Sequence, residues 1–431
     1  MHLIMKYKFI FFALLLVCSL LMAQVNTYSP YSYFGVGTLS SIGNSTSISM
    51  GGLGTSIMSE KSLNYINPAS YSFLNRTVLE FGMRSTFFKM SELDNDQNNF
   101  ISGLSNLSLG FPISKKISLS SALLPYSSVG YTISQTEDLD SLNTATTSHT
   151  GAGGINRFLI GGSWQVLDNL SIGGNFNYLF GPIRKETFIH SNQSPYYFRN
   201  ISDKMTRGFN FDLGLLYTFF LSDYQIVFGT TFKPGSNMKA EGYSTQYLSS
   251  NVLNEASDYV ISSDTLYNNN TISLPLEASI GFSIQSNTKW LIGLEYKNVN
   301  WREYNESEID VCCMHSSNEF IIGGFFTPDK DDIYNYFNRV QYRFGLSYSM
   351  GYLDLTDLYN ENATEKNPLT HFSGSFGMAL PINQVSSTAN ISFRYGFINN
   401  GFSDNYIKER YFSIYLAMTL NEKWFNKIKI Q

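Results

Sequence analysis

The sequence predicts an all-β protein, a 14-stranded antiparallel transmembrane β-barrel with an N-terminal hatch, meaning a plug that folds inside the barrel. Three observations predict it. Aromatic residues make up 16% of the 431 residues, whereas charged residues make up only 15%. No apolar run beyond the first 21 residues is long enough for a membrane-spanning helix, which needs about 20 residues. From Thr77 onward, apolar and polar residues alternate in segment after segment, and this period of two places one set of side chains on lipid and the other in the lumen.

Fourteen segments carry this alternation. Near the C-terminus, Phe412, Ile414 and Leu416 share one face of a predicted strand, and Ser413 and Thr419 share the other. An even number of strands is typical of single-chain bacterial barrels. The predicted strands lie near 77–90, 101–112, 115–130, 151–166, 170–185, 207–221, 224–236, 275–285, 288–300, 317–327, 339–352, 370–381, 386–398 and 409–421.

The connections between the predicted strands alternate between short and long. Residues 167–169 and 222–223 are short connections, whereas 186–206 and 237–274 are long ones. Membrane barrels have short periplasmic turns and long extracellular loops, so both chain ends are expected in the periplasm. The turn at 328–338 is longer than the other predicted short turns. A soluble β-sandwich is the alternative fold, but it gives no reason for this alternation.

The N-terminus predicts export. Lys6 and Lys8 precede an apolar run over 9–21, and Ala23 precedes polar sequence. This arrangement is typical of a secretory signal peptide, so we expect cleavage after Ala23 and location in the outer membrane of a Gram-negative-type bacterium. A retained N-terminal anchor is the alternative.

Charge and cysteine content restrict the partners. The formal net charge of −5 and the isoelectric point near 5.6 argue against a nucleic-acid partner. Cys312 and Cys313 are adjacent and precede His315. Oxidised cysteine is expected in an exported protein, and no second ligand cluster supports a metal site. We therefore expect no metal and no cofactor, while the redox state and role of the two cysteines stay open.

Charged residues on the polar face of the predicted strands are expected to line the lumen. Their mixed signs predict an ion-pair network across the barrel, because buried charges need partners. These residues are Arg157, Asp212, Glu277, Glu295, Lys297, Glu319, Arg343 and Arg394.

Residues 24–76 precede the first predicted strand and show little alternation. They contain a glycine-rich run with Gly51, Gly52 and Gly54, followed by the triplet Asn67-Pro68-Ala69. A barrel of fourteen strands is wider than its own side chains can fill, so this segment is predicted to form the hatch. A disordered periplasmic arm is the alternative, disfavoured by the many aromatic residues. The predicted domains are thus 1–23, the signal peptide; 24–76, the hatch; 77–425, the barrel; and 426–431, a short periplasmic tail.

The glycine run, the Asn67-Pro68-Ala69 triplet and the strand count resemble the FadL/TodX family of outer-membrane transporters. The resemblance implies uptake of long-chain fatty acids or other hydrophobic compounds, with lateral release at an inward kink in the third strand. Proline cannot donate a ladder hydrogen bond, so Pro125 in the third predicted strand is the candidate gate. An ordinary bulge is the alternative. Two departures are the non-aromatic chain end after Trp424-Phe425 and the stretch of about 25 residues before the glycine run.

A hydrophobic small molecule or lipid is therefore the expected ligand of a monomeric transporter. Phe188 and Tyr247 in long loops are candidates for its capture, and Arg157, Arg343 or Arg394 for binding a carboxylate. A secretion-system accessory or scaffold barrel of the PorV type, which binds a protein partner, is the alternative. An enzyme is not expected, because none of the five histidines stands in a Ser/His/acid grouping. A general diffusion porin would conduct ions, whereas a plugged barrel would conduct few. The sequence does not identify the ligand.

Overall fold

The structure is a computed structural model that describes residues 27–41, 43–92, 95–140, 142–249, 258–286, 289–306, 314–354, 368–382, 387–399 and 407–422. The predicted signal peptide, Cys312 and Cys313, Trp424-Phe425 and the predicted tail lie outside these residues. No helix in the described part of the chain is long and apolar enough to cross a membrane.

The described chain is built almost wholly of antiparallel strands. The strands are β1 (Thr38–Leu39), β2 (Thr77–Glu92), β3 (Asn95–Pro112), β4 (Ile117–Asp138), β5 (Thr144–Leu167), β6 (Leu170–Ser191), β7 (Tyr197–Leu221), β8 (Tyr224–Lys233), β9 (Ser236–Ser249), β10 (Asp258–Leu274), β11 (Glu277–Ser286), β12 (Trp290–Val299), β13 (Asn305–Glu306), β14 (Ser317–Phe326), β15 (Gln341–Met350), β16 (Thr370–Pro381), β17 (Thr388–Asn399) and β18 (Lys408–Glu422).

These strands form a closed barrel, which confirms the predicted fold class. Its wall has fourteen strand positions, and we call each position a stave because two of them are made of two strands. β8 and β9 both pair with β7, so they are one stave interrupted at Pro234. β10 pairs with β9 and β11 pairs with β8, so they form the next stave, interrupted at Pro275. The ladder between β18 and β2 closes the cylinder and sets Glu422 opposite Thr77. Both ends of the wall therefore lie on the same side.

The alternation of side chains follows the predicted faces. On β7, Phe209, Phe211 and Leu213 point outward and are 54%, 52% and 54% exposed, whereas Asn210 and Asp212 point inward and are buried. An apolar outer face fits lipid, because no water is present there to solvate polar groups. The predicted lumenal charges are on the inner face, as expected.

The prediction of long loops at 186–206 and 237–274 is wrong in one respect, because most of these residues belong to strands. β6, β7, β9 and β10 continue well above the outward apolar band, and the β6–β7 ladder runs to His190 opposite Tyr197. This part of the wall therefore stands higher than the rest. On the opposite side, the turn over 327–340 contains local hydrogen bonds, with Asp332 accepting from the backbone of Tyr334 and Asn335.

The hatch lies inside the barrel and contains four short elements. These are a 3₁₀ turn at Pro30–Tyr33, strand β1, helix α1 (Ser45–Ser49) and a 3₁₀ helix at Pro68–Phe73; a further 3₁₀ turn, Trp301–Glu303, follows β12 in the wall. The hatch residues Leu63, Tyr65 and Tyr71 pack with Leu124 and Leu159 of the wall in one buried cluster. Hatch and wall thus share a core.

Candidate functional site

A ring of inward-facing glycines lets the hatch approach the wall closely. A Cβ built at any of these glycines would come within about 3.1 Å of hatch atoms. Glycine is the residue that permits such close approach. We call this set the glycine belt: Gly161, Gly173, Gly214, Gly229, Gly281, Gly293, Gly323, Gly345 and Gly377, on β5, β6, β7, β8, β11, β12, β14, β15 and β16.

Two buried wall carboxylates hold the hatch backbone. Glu295 accepts hydrogen bonds from the amide nitrogens of Gly54 at 2.9 Å and Thr55 at 2.8 Å. Glu80 accepts one at 3.1 Å from the amide nitrogen of Ser45, the first residue of α1. Buried backbone amides need an acceptor, and these two wall side chains supply one, so the two residues fix the hatch at separate points.

The predicted hatch motifs lie where the hatch contacts the wall. The Asn67 side chain donates to the carbonyl oxygens of Thr55 at 2.6 Å and Leu215 at 3.2 Å. It also accepts from the amide of Ala69 at 3.0 Å, which caps the 3₁₀ helix begun by Pro68. The motif therefore joins two hatch segments to β7.

The glycine run turns the chain above the belt. Gly51 and Gly52 have φ of +78° and +105°, which side chains rarely adopt. Gly54 does not have a positive φ. A Cβ at Gly54 would instead collide with the side chain of Ile66.

Two buried tyrosines of the hatch add further hydrogen bonds. The hydroxyl of Tyr71 donates to Asn175 on β6 at 2.9 Å, and that of Tyr65 donates to the carbonyl oxygen of Gly43 at 2.6 Å. Desolvation by burial raises the pKa of Tyr71 and of Tyr65, so both stay neutral donors. The lower lumen is thus filled by hatch atoms hydrogen-bonded to the wall.

The wall itself is incomplete between β3 and β4. Their ladder runs from Pro112–Ser118 to Leu107–Leu123 and ends there. Above it, no pairing between these strands exists in the described residues. We call the gap between 95–106 of β3 and 124–138 of β4 the lateral opening.

Pro125 stands at the lower end of the lateral opening. The β4–β5 register shifts between Pro125 and Ser127, so Tyr126 is an extra residue in β4. The hatch covers the exposed edge of β4 just above, because β1 pairs Leu39 with Ser127 and Ser40 donates its amide to the Tyr126 carbonyl at 3.0 Å. The structure thus places a bulge at Pro125 and a hatch strand beside it.

A cavity of about 350 Å³ lies between the hatch and the upper wall. Gly51, Gly52 and Ile66 of the hatch contribute to its lining, as do Tyr126 and Ser128 at the edge of the lateral opening. The cavity therefore extends from the hatch to the lateral opening.

The cavity lining has a charged part and an aromatic part. Lys233 pairs with Glu277 at 2.7 Å, and Lys297 with Glu319 at 3.0 Å. In the aromatic part, Trp301 stacks on Tyr352 with ring centroids 4.6 Å apart. Such a lining suits an amphipathic molecule better than a pure hydrocarbon.

The ion pairs correct one expectation. Lys233 and Glu277 are ladder partners on adjacent strands, as are Lys297 and Glu319, and Arg157 on β5 reaches Asp212 on β7 at 3.8 Å. These pairs run along the wall instead of across the lumen, because the hatch and cavity occupy the centre.

The three predicted arginines have different surroundings. Arg157 lines the cavity but is paired with Asp212. Arg343 donates to Gln341 and Asn390 and is not among the residues that line the cavity.

Arg394 lines the cavity and donates to three serine hydroxyls, those of Ser373, Ser347 and Ser41. Within the described chain, no carboxylate lies within ion-pair distance of Arg394. Of the three predicted arginines, it is therefore the one best placed for an anionic ligand group.

Phe188 and Tyr247 are not near these arginines. Both are ladder neighbours of Arg199 on β7. Because the registers are continuous, they lie on the same face of the wall as Phe176 and Phe211, which face lipid nearer the periplasm. They therefore lie on the outer face of the raised wall and do not line its mouth. The sequence could not show this, because both faces of the wall are in water at this height.

Sequence reasoning missed the glycine belt and the roles of Glu80 and Glu295. Each belt glycine occupies an inward position of an alternating segment, and several are ladder partners, such as Gly173 with Gly214 and Gly293 with Gly323. A search for glycines at inward positions of equal height would have found the belt. The backbone partners of the two glutamates left no signal in the sequence.

A protein-family model described as BamG matches residues 5–431. The chain belongs to the BamG family. No curated protein matches the chain.

Solved structures share the fold of this BamG-family chain. The CymD monoaromatic hydrocarbon channel has 14% identity and a TM-score of 0.59, with 91% of this chain and 100% of that chain covered. The Pseudomonas putida toluene transporter TodX has 15% identity and a TM-score of 0.59, with 90% and 100% covered. A Pseudomonas aeruginosa FadL homologue has 11% identity and a TM-score of 0.61, with 89% and 99% covered.

At such low identity these structures show the fold alone. The resemblance to FadL/TodX is thus confirmed for the barrel, while the family that matches in sequence is BamG. The barrel of this BamG-family chain resembles Gram-negative outer-membrane transporters.

Proposed function

We propose that the protein is an outer-membrane transporter that takes up amphipathic molecules with a long apolar part, such as fatty acids, and releases them sideways. The observation that carries the proposal is the end of the β3–β4 ladder at Leu107–Leu123, beside a cavity that reaches Tyr126. Such a gap gives a molecule in the lumen a route into the lipid.

The axial route is unfavourable. The hatch lies against the glycine belt, and Glu80 and Glu295 bind three hatch amides. Passage to the periplasm would break these buried interactions together, each at a cost of about 1–3 kcal/mol. A ligand in the cavity therefore has its easier exit through the lateral opening.

The ligand class follows from the cavity lining. Burial of each methylene contributes about 0.8 kcal/mol, and Trp301 and Tyr352 offer an apolar surface for a chain. Arg394 offers hydrogen-bond donors to a carboxylate. Phe188 and Tyr247 on the outer face, and Arg343 away from the cavity, have no part in this route.

Uptake of radiolabelled oleate by intact cells tests the proposal. We expect cells that produce the protein to take up oleate several-fold faster than cells that lack it, and purified protein to bind oleate with one saturable site. Equal uptake rates, with no saturable binding, would overturn the proposal. Toluene serves as a comparison without a head group and is expected to bind more weakly.

A further inference from the structure

One strand of the barrel wall has a free edge at the lateral opening. Residues 95–106 of β3 pair with β2 on one side. On the other side, they have no strand partner among the described residues. The free edge is twelve residues long, so its backbone N–H and C=O groups that point into the opening lack a ladder partner.

Part of this edge lies at bilayer depth. Phe100 on β3 and its ladder partner Phe87 on β2 both point outward and are 54% and 48% exposed. Leu107, where the β3–β4 ladder ends, also points outward. The edge between 100 and 107 is therefore flanked by lipid-facing side chains, and unpaired backbone groups are disfavoured in lipid.

The other edge of the lateral opening, on β4, has backbone groups that are paired by the hatch. On β4, the hatch strand β1 adds to the edge at Ser127 and Ser128, and Ser32 both donates to and accepts from the backbone of Gly130 through its hydroxyl. The lateral opening thus already takes up an added strand on one side. β1 pairs with β4 and not with β3 in the described chain, so the β3 edge stays available.

We propose that an extended segment of a partner outer-membrane protein pairs with the free edge of β3. Strand addition of this kind gives affinity through main-chain hydrogen bonds. The segment would carry apolar side chains toward lipid, next to Phe100 and Leu104. Toward the lumen it would carry small side chains, next to Gly103. A segment paired with β3 would occupy part of the lateral opening that the proposed transport uses, so the two proposals are tested separately, and this inference does not depend on transport.

A bulge supplies a selective variant. The β2–β3 register shifts so that Asn106 pairs with Gly82 and Leu104 with Met83, which leaves Ser105 without a β2 partner. Proline is tolerated at bulges and removes an N–H. Ser105→Pro therefore obstructs the free edge with little effect on the β2–β3 ladder, and Ser105→Ala is the matched control.

Hydrogen exchange measured by mass spectrometry tests the proposal without knowledge of the partner. The probes are native outer membranes and proteoliposomes that contain only this protein. We expect amides of 99–106 to exchange at least about ten-fold more slowly in native membranes. Ser105→Ala should keep this protection and Ser105→Pro should lose it.

A photoreactive residue at Leu104 should in addition form a discrete protein adduct, whereas one at Leu107, within the β3–β4 ladder, should not. Equal exchange of these amides in the two membranes would overturn the proposal. Equally fast exchange would mean that water or lipid lies at the edge, and equally slow exchange would mean that this chain closes its own opening. Should Ser105→Pro fail to insert, the wild-type comparison still decides. Oleate uptake is measured separately, so loss of one property leaves the other testable.

Discussion

Gly173 on β6 and Ala69 in the hatch lie so close that a Cβ on Gly173 would come within 2.6 Å of the Ala69 amide nitrogen. The carbonyl carbon and oxygen of Pro68 would be nearer still, at 2.4 and 2.5 Å. A side chain cannot fit there unless one of the two backbones moves. The Asn67-Pro68-Ala69 triplet therefore requires a glycine across from it, and its packing depends on a residue more than 100 positions later in the chain.

Gly173→Ala is expected to destabilise the docked hatch by about 1–3 kcal/mol, the usual cost of an overpacked core. The neighbouring Gly174 points toward lipid, where a Cβ would meet nothing closer than the Asp212 carbonyl oxygen at 3.5 Å. Gly174→Ala is therefore the matched control. Denaturant unfolding in detergent and protease cleavage of the hatch would measure the difference. Equal stability of the two variants would contradict close backbone packing at the belt.

Glu295→Gln is expected to loosen the hatch by about 2 kcal/mol, because an amide replaces the carboxyl group that accepts two hatch amides and one buried acceptor site becomes a donor. Glu241, which pairs with Arg207 on the outer face, provides the control. Exposed pairs contribute less than about 1 kcal/mol, so Glu241→Gln should unfold like the wild type. A melting temperature unchanged in Glu295→Gln would show that the two backbone bonds contribute little.

Alternation predicted the faces of the wall well because lipid and lumen differ in polarity. Phe412 and Ser413 were assigned to opposite faces on that ground alone, and their side chains are 39% and 2% exposed. The same argument fails above the bilayer, where both faces of a strand are in water. There, β9 and β10 lose their alternation, and Pro234 and Pro275 interrupt the staves, so the segment resembled a loop.

The candidate site was predicted in part. Pro125 was recognised because proline disrupts a ladder locally. The free β3 edge was not recognised, since nothing in 95–106 itself signals the loss of a neighbour. Arg394 could not be distinguished from Arg343, because the difference lies in which one borders the cavity, and this depends on where the hatch folds.

Deletion of Tyr126 is expected to close the lateral opening. Tyr126 is the extra residue between Pro125 and Ser127 in the β4–β5 ladder, so its removal restores the register and straightens β4 toward β3. Oleate uptake by intact cells should fall at least about ten-fold, an effect of about 1.4 kcal/mol or more on the transfer step. Tyr126→Ala removes the same side chain but keeps the bulge, and should transport. If both variants transport alike, the break in β4 is not the exit.

Arg394→Gln is expected to weaken oleate binding about ten-fold, because a neutral amide replaces the cation for the carboxylate. Binding of toluene, which has no head group, should change little. Arg207→Gln alters an arginine on the outer face and should leave both affinities unchanged. Isothermal titration of the purified variants would measure this. Equal loss for oleate and toluene would indicate a general disturbance of the cavity and contradict a head-group role for Arg394.

A sealed lower lumen predicts low ion conductance in planar bilayers, well below that of an open barrel of fourteen staves. Removal of hatch residues 27–74 should open the lumen and raise the conductance at least about ten-fold, since in the described part of the chain the hatch fills the lower lumen and the wall's own side chains are too short to fill a barrel of this width. Gly345→Ala offers a milder change, because a Cβ there would overlap the backbone of Met50 and Gly51, and it should give brief openings in a folded barrel. Large, steady conductance of the wild-type protein would mean that the hatch leaves a water path past the glycine belt, and the argument for lateral exit would then fail.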